Sequence, residues 1–176
     1  MPTLGVAITI PQPYADRLSA VRLTVGDPMA REIPPHVTLL PPTEVEDGQV
    51  ADFCAHLERV AEEHRAFSMV LSGTASFRPI SPVVFVQVSE GISSCEQLER
   101  AVRSGPVERR LEFNYHPHVT IAHHVDDDAL DEAVSECADF RAAFEVTAFD
   151  LYEQGGDAVW RPQRPFSLRA PRRGRP

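Results

Sequence analysis

The chain has 176 residues, enough for one domain or for one domain assembled from two similar halves. Its 43% hydrophobic and 24% charged residues are those of a globular protein with a sizeable core. With 17 Lys and Arg against 26 Asp and Glu, the net charge of −9 argues against a broad basic face for long duplex nucleic acid. A small nucleotide held in a local pocket remains compatible with it.

In chain order, Gly5 to Ile10 is rich in β-branched residues and reads as a strand, and Tyr14, Leu18 and Val21 mark a helix behind it. A strand is expected over His36 to Leu40, directly after prolines. The spacing of Val50, Phe53, Cys54, Leu57, Val60 and Ala61 predicts a helix over 47–65. Strands follow at Phe67 to Phe77 and Val83 to Val88, then a helix through Cys95, Leu98, Ala101 and Val102, ending before Gly105-Pro106. His118 to Ala122 reads as another strand. The Asp126–Asp128 run, placed where a helix dipole is positive, opens a helix carrying Leu130, Ala133, Val134 and Cys137. Phe144 to Tyr152 reads as one strand, and Phe166 to Leu168 closes the last sheet.

Two halves follow the same plan of strand, helix, strand, amphipathic helix, then a strand opening with Phe. Val6 corresponds to Val83, His36 to His118 and Phe67 to Phe144 at a nearly constant offset, the mark of an internal duplication. The expected fold is α+β and bilobal, with two mainly antiparallel sheets and flanking helices around a central cleft. Residues 1–170 are expected to form a single domain, with halves at about 1–78 and 79–168, followed by a solvated basic tail at 171–176.

Cys54, Cys95 and Cys137 show neither CxxC nor zinc-ligand spacing and are expected as buried thiols in a reducing compartment. The N-terminus lacks the basic and apolar regions of a signal peptide, and no apolar run approaches the ~20 residues of a membrane span. A cytoplasmic monomer without membrane contact is the expectation.

The tetrapeptide Pro-His-Val-Thr occurs at 35–38 and again at 117–120, in the same place in each half. On a strand, residues i and i+2 share a face, so His36 and Thr38 point one way, as do His118 and Thr120. Val37 and Val119 then face the core. Approximate twofold symmetry brings two His–Thr pairs across one cleft. Such a constellation suits a phosphodiester: a neutral imidazole takes a proton from the attacking oxygen, and an imidazolium gives one to the leaving oxygen. Threonine hydroxyls donate to the non-bridging phosphate oxygens. No metal or other cofactor is needed.

These motifs resemble those of the 2H phosphoesterase superfamily, which includes the LigT-like proteins called 2′-5′ RNA ligases and the cyclic nucleotide phosphodiesterases. The resemblance covers residues 3–168, with Phe144 to Tyr152 and Trp160 to Leu168 similar to the family's closing strands. It implies His36 and His118 as general acid and base, and Thr38 and Thr120 as phosphate holders. It also implies a small nucleotide or an RNA terminus as substrate: a 2′,3′-cyclic phosphate, an ADP-ribose cyclic phosphate or a 2′-5′ linkage. In the simplest version His118 activates water and His36 protonates the leaving oxygen. Many members carry an arginine or an aromatic residue five positions after the second motif histidine, where this chain has His123.

Tyr115, His116 and His123 are candidate substrate contacts, and Tyr115 or Phe77 could stack a base. Arg78, Arg161 and Arg164 are expected at the solvated surface, as are His56 and His64. Two rivals remain open: a non-catalytic module binding a nucleotide or RNA end in the same cleft, and a metal-dependent hydrolase built on the 116–124 histidines. Pro117 interrupts that second cluster, and the first half has no counterpart.

Overall fold

The computed structural model describes residues 1–171, so all but the first residue of the expected basic tail lies outside the described residues. Its strands are β1 (Thr3–Thr9), β2 (His36–Glu44), β3 (Phe67–Ser76), β4 (Val83–Glu90), β5 (His118–His123), β6 (Arg141–Val146), β7 (Ala148–Gln154) and β8 (Trp160–Ser167). The helices are α1 (Tyr14–Thr24), α2 (Val50–Glu63), α3 (Ile92–Arg103) and α4 (Asp127–Glu136). Short 3-10 turns at Pro28–Arg31 and Asp47–Gln49 precede β2 and α2.

Two four-stranded antiparallel sheets result, one in the order β2-β1-β7-β8 and the other β5-β4-β3-β6. The α+β class and the paired sheets are therefore as expected. Each sheet, however, draws strands from both halves of the chain. The stretch Phe144 to Tyr152 is two strands in different sheets, separated at Thr147, rather than one. Phe67 and Phe144 are consequently not equivalent: β3 and β6 are hydrogen-bonded neighbours, with Met69 opposite Phe144. By position in the sheets, β7 is the counterpart of β3 and β8 of β6. Periodicity located each strand but carried no information on partners, since pairing is long-range.

Where the two motifs sit, the repetition holds closely. β1 pairs with β2 so that Thr9 lies opposite His36, and β4 pairs with β5 so that Gln87 lies opposite His118. Both motif strands alternate between half-buried and buried: His36 and Thr38 are half-buried while Val37 and Leu39 are buried, and His118, Thr120, Val119 and Ile121 repeat this. A one-residue slip would put the histidines into the core, so burial of the valines fixes which way the histidines face.

The helices seal the opposite faces. Phe53, Leu57, Val60 and Ala61 of α2, and Cys95, Leu98 and Val102 of α3, join one continuous core. Full burial of each large apolar side chain is worth about 1.5–3 kcal/mol. Asp126 caps α4, its Oδ1 accepting from the Ala129 N–H at 2.9 Å, as the acidic run predicted. Gly91 starts α3 at φ +98°, and a Cβ there would lie 2.9 Å from the Ser68 carbonyl oxygen, so the turn requires glycine. Cys95 and Cys137 are buried free thiols, whereas Cys54 is half-buried. His56 and His64 are half-buried as well; His56 Nε2 meets the Ala101 carbonyl across the α2–α3 contact. No helix among the described residues is long and apolar enough to cross a membrane.

Candidate active site

β2 and β5 carry the two motifs toward each other, and their sheets meet there. Each motif histidine is oriented in the same way. His36 Nδ1 lies 2.8 Å from the Pro34 carbonyl oxygen, and His118 Nδ1 lies 2.6 Å from that of His116. In both cases the acceptor is two residues upstream, across the motif proline. A carbonyl can only accept, so Nδ1 of each ring carries a proton and Nε2 becomes the titrating nitrogen. Neither Thr38 nor Thr120 has its hydroxyl engaged by another side chain among the described residues.

Two cavities adjoin this arrangement. The larger, about 680 Å³, is lined by Thr38, His118, Thr120, Tyr115, His116 and His123, among others. The smaller, about 150 Å³, holds His36, again Thr38, and the aromatic pair Tyr152 and Trp160. Thr38 belongs to both walls and joins them. The sequence-predicted residues are thus brought together, with His36 on one side of Thr38 and the remainder on the other.

Burial favours the neutral form of both motif histidines. Burial presses the His36 pKa down to about 4, against the pull of the Pro34 carbonyl, with further lowering from Arg22 and His118. His118 is lowered too, by burial first and by the neighbouring His116, while the His116 carbonyl opposes the shift. Its ring stands edge-on to Phe77 at 5.0 Å and near Phe85 at 5.2 Å, so aromatic walls fix its plane. His123 is lowered by burial and by His124, on which it stacks at 3.7 Å.

Supporting residues that the sequence did not single out surround His36. Arg22 and Asp27 form a buried ion pair, Nε to Oδ2 at 3.1 Å, and Arg22 Nη1 donates to the Ile33 carbonyl at 3.2 Å. This fixes the segment whose next carbonyl, that of Pro34, holds the His36 ring. Beside His36, the Thr9 hydroxyl donates to Asp150 Oδ2 at 2.7 Å and lies 2.6 Å from the Tyr152 phenol. An arginine near the end of a helix gives no sign in sequence that it is buried.

The three arginines expected at the solvated surface are each paired with carboxylates. Arg78 bridges Asp131 and Asp127, Arg161 pairs with Asp157, and Arg164 with Glu58. Among the described residues no three His, Cys, Asp or Glu side chains gather as a metal site would require.

The family model of the 2′-5′ RNA ligase superfamily matches residues 10–158. The chain belongs to this superfamily. A provisionally named phosphoesterase of Bacillus licheniformis is 28% identical to this superfamily member over 146 residues, covering 82% of this chain and 86% of that one. A crystal structure described as a phosphoesterase superimposes with a TM-score of 0.72 at 21% identity, covering 96% of this chain and 98% of the other. LigT of E. coli complexed with 3′-AMP gives 0.68 at 20% identity, with 96% and 99% covered. These likenesses to solved structures carry the fold. With the family and its phosphoesterase relatives, the chain is a phosphoesterase of the 2H type.

Proposed function

We propose that this phosphoesterase hydrolyses a 2′,3′-cyclic phosphate or an RNA-terminal or 2′-5′ phosphodiester without a metal, using His36 and His118 as its acid–base pair. The observation that carries the reading is the matched anchoring of the two rings. Both donate Nδ1–H to the carbonyl two residues upstream, both keep Nε2 for proton transfer, and each shares its strand face with a threonine whose hydroxyl no other side chain among the described residues engages.

Water attacks phosphorus as one imidazole removes its proton. The bond from phosphorus to the departing ribose oxygen breaks, and the other histidine supplies that oxygen with a proton. Thr38 and Thr120 donate to the non-bridging oxygens as charge builds on them. The low His36 pKa favours it as the neutral base, which leaves His118 as the acid. The sequence left the two roles open, with the opposite arrangement as its simplest version. Proton transfers of this kind contribute ~10²–10⁴ in rate.

LigT has been crystallised with 3′-AMP, NADP+ and ATP, which supports a small nucleotide in the corresponding cleft here. The test is turnover of 2′,3′-cyclic mononucleotides by the wild type, with His36→Ala and His118→Ala each reducing it by at least about a hundredfold. Binding without turnover would instead favour the nucleotide-binding module.

A further inference from the structure

The larger cavity is asymmetric. Its phosphate end, at Thr38, His118 and Thr120, is polar, and the remainder is dominated by side chains from the Phe77–Val83 turn and the Leu111–His116 segment. Ile80 is 80% and Phe113 64% exposed, two of the few large hydrophobic side chains left at the surface, and both line this one cavity. Apolar groups gathered around a cleft mark a binding face more often than chance exposure does.

The charge of the lining points the same way. Among the described residues the wall contains no arginine or lysine, but it contains Glu99 and Glu112. Glu99 is paired with Arg103, whereas Glu112 is exposed and has no ion-pair partner among the described residues. Arg78, the basic residue adjoining Phe77, is held by two aspartates of α4. Arg109 and Arg110 precede the Leu111–His116 wall without contributing to it. With a net charge of −9 behind it, the far end of the cavity offers a second phosphate no guanidinium or ammonium group to pair with, only the neutral donors of Ser81 and Asn114.

Resting on the phosphodiesterase reading above, we infer that this cavity holds the uncharged, aromatic arm of a substrate carrying a single phosphate, and selects against substrates with a second one. The chemical class is a nucleoside bearing one cyclic or diester phosphate. The base lies among Phe77, Phe113 and Tyr115, the ribose beside His118, and the 5′ position stays free of phosphate. Substrates carrying a pyrophosphate, such as ADP-ribose cyclic phosphates, fall outside it.

The test is equilibrium binding by calorimetry of three probes to the intact chain: adenosine 3′-monophosphate, adenosine 3′,5′-bisphosphate and inorganic phosphate. The monophosphate is expected to bind at least about tenfold more tightly than either of the others. Phe113→Arg, at a surface position where folding is not at stake, is expected to bring the bisphosphate within about threefold of the monophosphate. Equal or tighter binding of the bisphosphate overturns the inference. So does a monophosphate no tighter than inorganic phosphate, or a preference that Phe113→Arg leaves unchanged. Turnover of adenosine 2′,3′-cyclic phosphate, measured alongside, separates the two questions: selective binding without turnover sinks the catalytic reading and leaves the selectivity standing.

Discussion

The Tyr115 phenol donates a hydrogen bond to the backbone carbonyl of Thr38 at 2.9 Å, tying the segment that enters the second motif to the strand carrying the first. Burial, reinforced by Cys95, Glu99 and Glu96, holds the phenol far above its ordinary pKa, so it stays a donor throughout the accessible pH range. Tyr115→Phe removes that link alone. It is expected to cost about 1 kcal/mol of stability in denaturant unfolding and to raise KM several-fold. The pH–rate profile should not move; a displaced profile would make the phenol a proton donor in the reaction.

His36 also makes stability depend on pH. Its folded pKa, about 4, lies below the unfolded value of 6.5. Above pH 6.5 the ring is neutral in both states and has no effect. As pH falls from 6.5 toward 4, the unfolded chain takes up a proton that the folded one refuses, so stability declines and then levels off. The full loss is on the order of 3 kcal/mol. His36→Asn should flatten this part of the stability curve. Parallel curves for the two proteins between pH 7 and 4 would contradict a ring held neutral by the fold.

The rate should be bell-shaped in pH. With both motif histidines depressed, the optimum of kcat/KM is expected below pH 6.5, with an acid limb from His36 and a basic limb from His118. Leaving groups distinguish the two roles. A nitrophenyl ester departs without a proton, so His118→Ala should lose far less rate on it than on a ribose leaving group, while His36→Ala loses about as much on both. The opposite pattern would restore His118 as the base.

The buried pair Arg22–Asp27 supports His36 through the Ile33 carbonyl. Replacing one partner, as in Asp27→Asn, leaves a buried charge unmatched and should cost about 3–5 kcal/mol in denaturant unfolding. Because the Pro34 carbonyl is then less firmly placed, the His36 resonance in NMR titration should move as well. An unchanged titration in a folded variant would show the pair to be purely structural.

How much of this was legible in sequence depended on range. The HxT faces of β2 and β5 could be read because alternation is local: Val37 and Val119 are fully buried, so the histidines and threonines face the other way. The capped start of α4 was equally local. Pairing of β3 with β6, and the exchange of β7 into the first sheet, could not be read, because Phe67 and Phe144 look alike whether they are symmetry mates or neighbours. The supporting shell was also silent. Arg22 resembles any helix arginine, and Phe85 any strand aromatic, until the fold sets one behind Ile33 and the other against His118.

The most direct measurement is hydrolysis of 2′,3′-cyclic mononucleotides with EDTA present, comparing the wild type with His36→Ala and His118→Ala. The account predicts turnover by the wild type, undiminished by the chelator, and near-complete loss in each variant. Turnover that EDTA abolishes and zinc restores, or that survives in either histidine variant, would contradict a metal-free two-histidine mechanism.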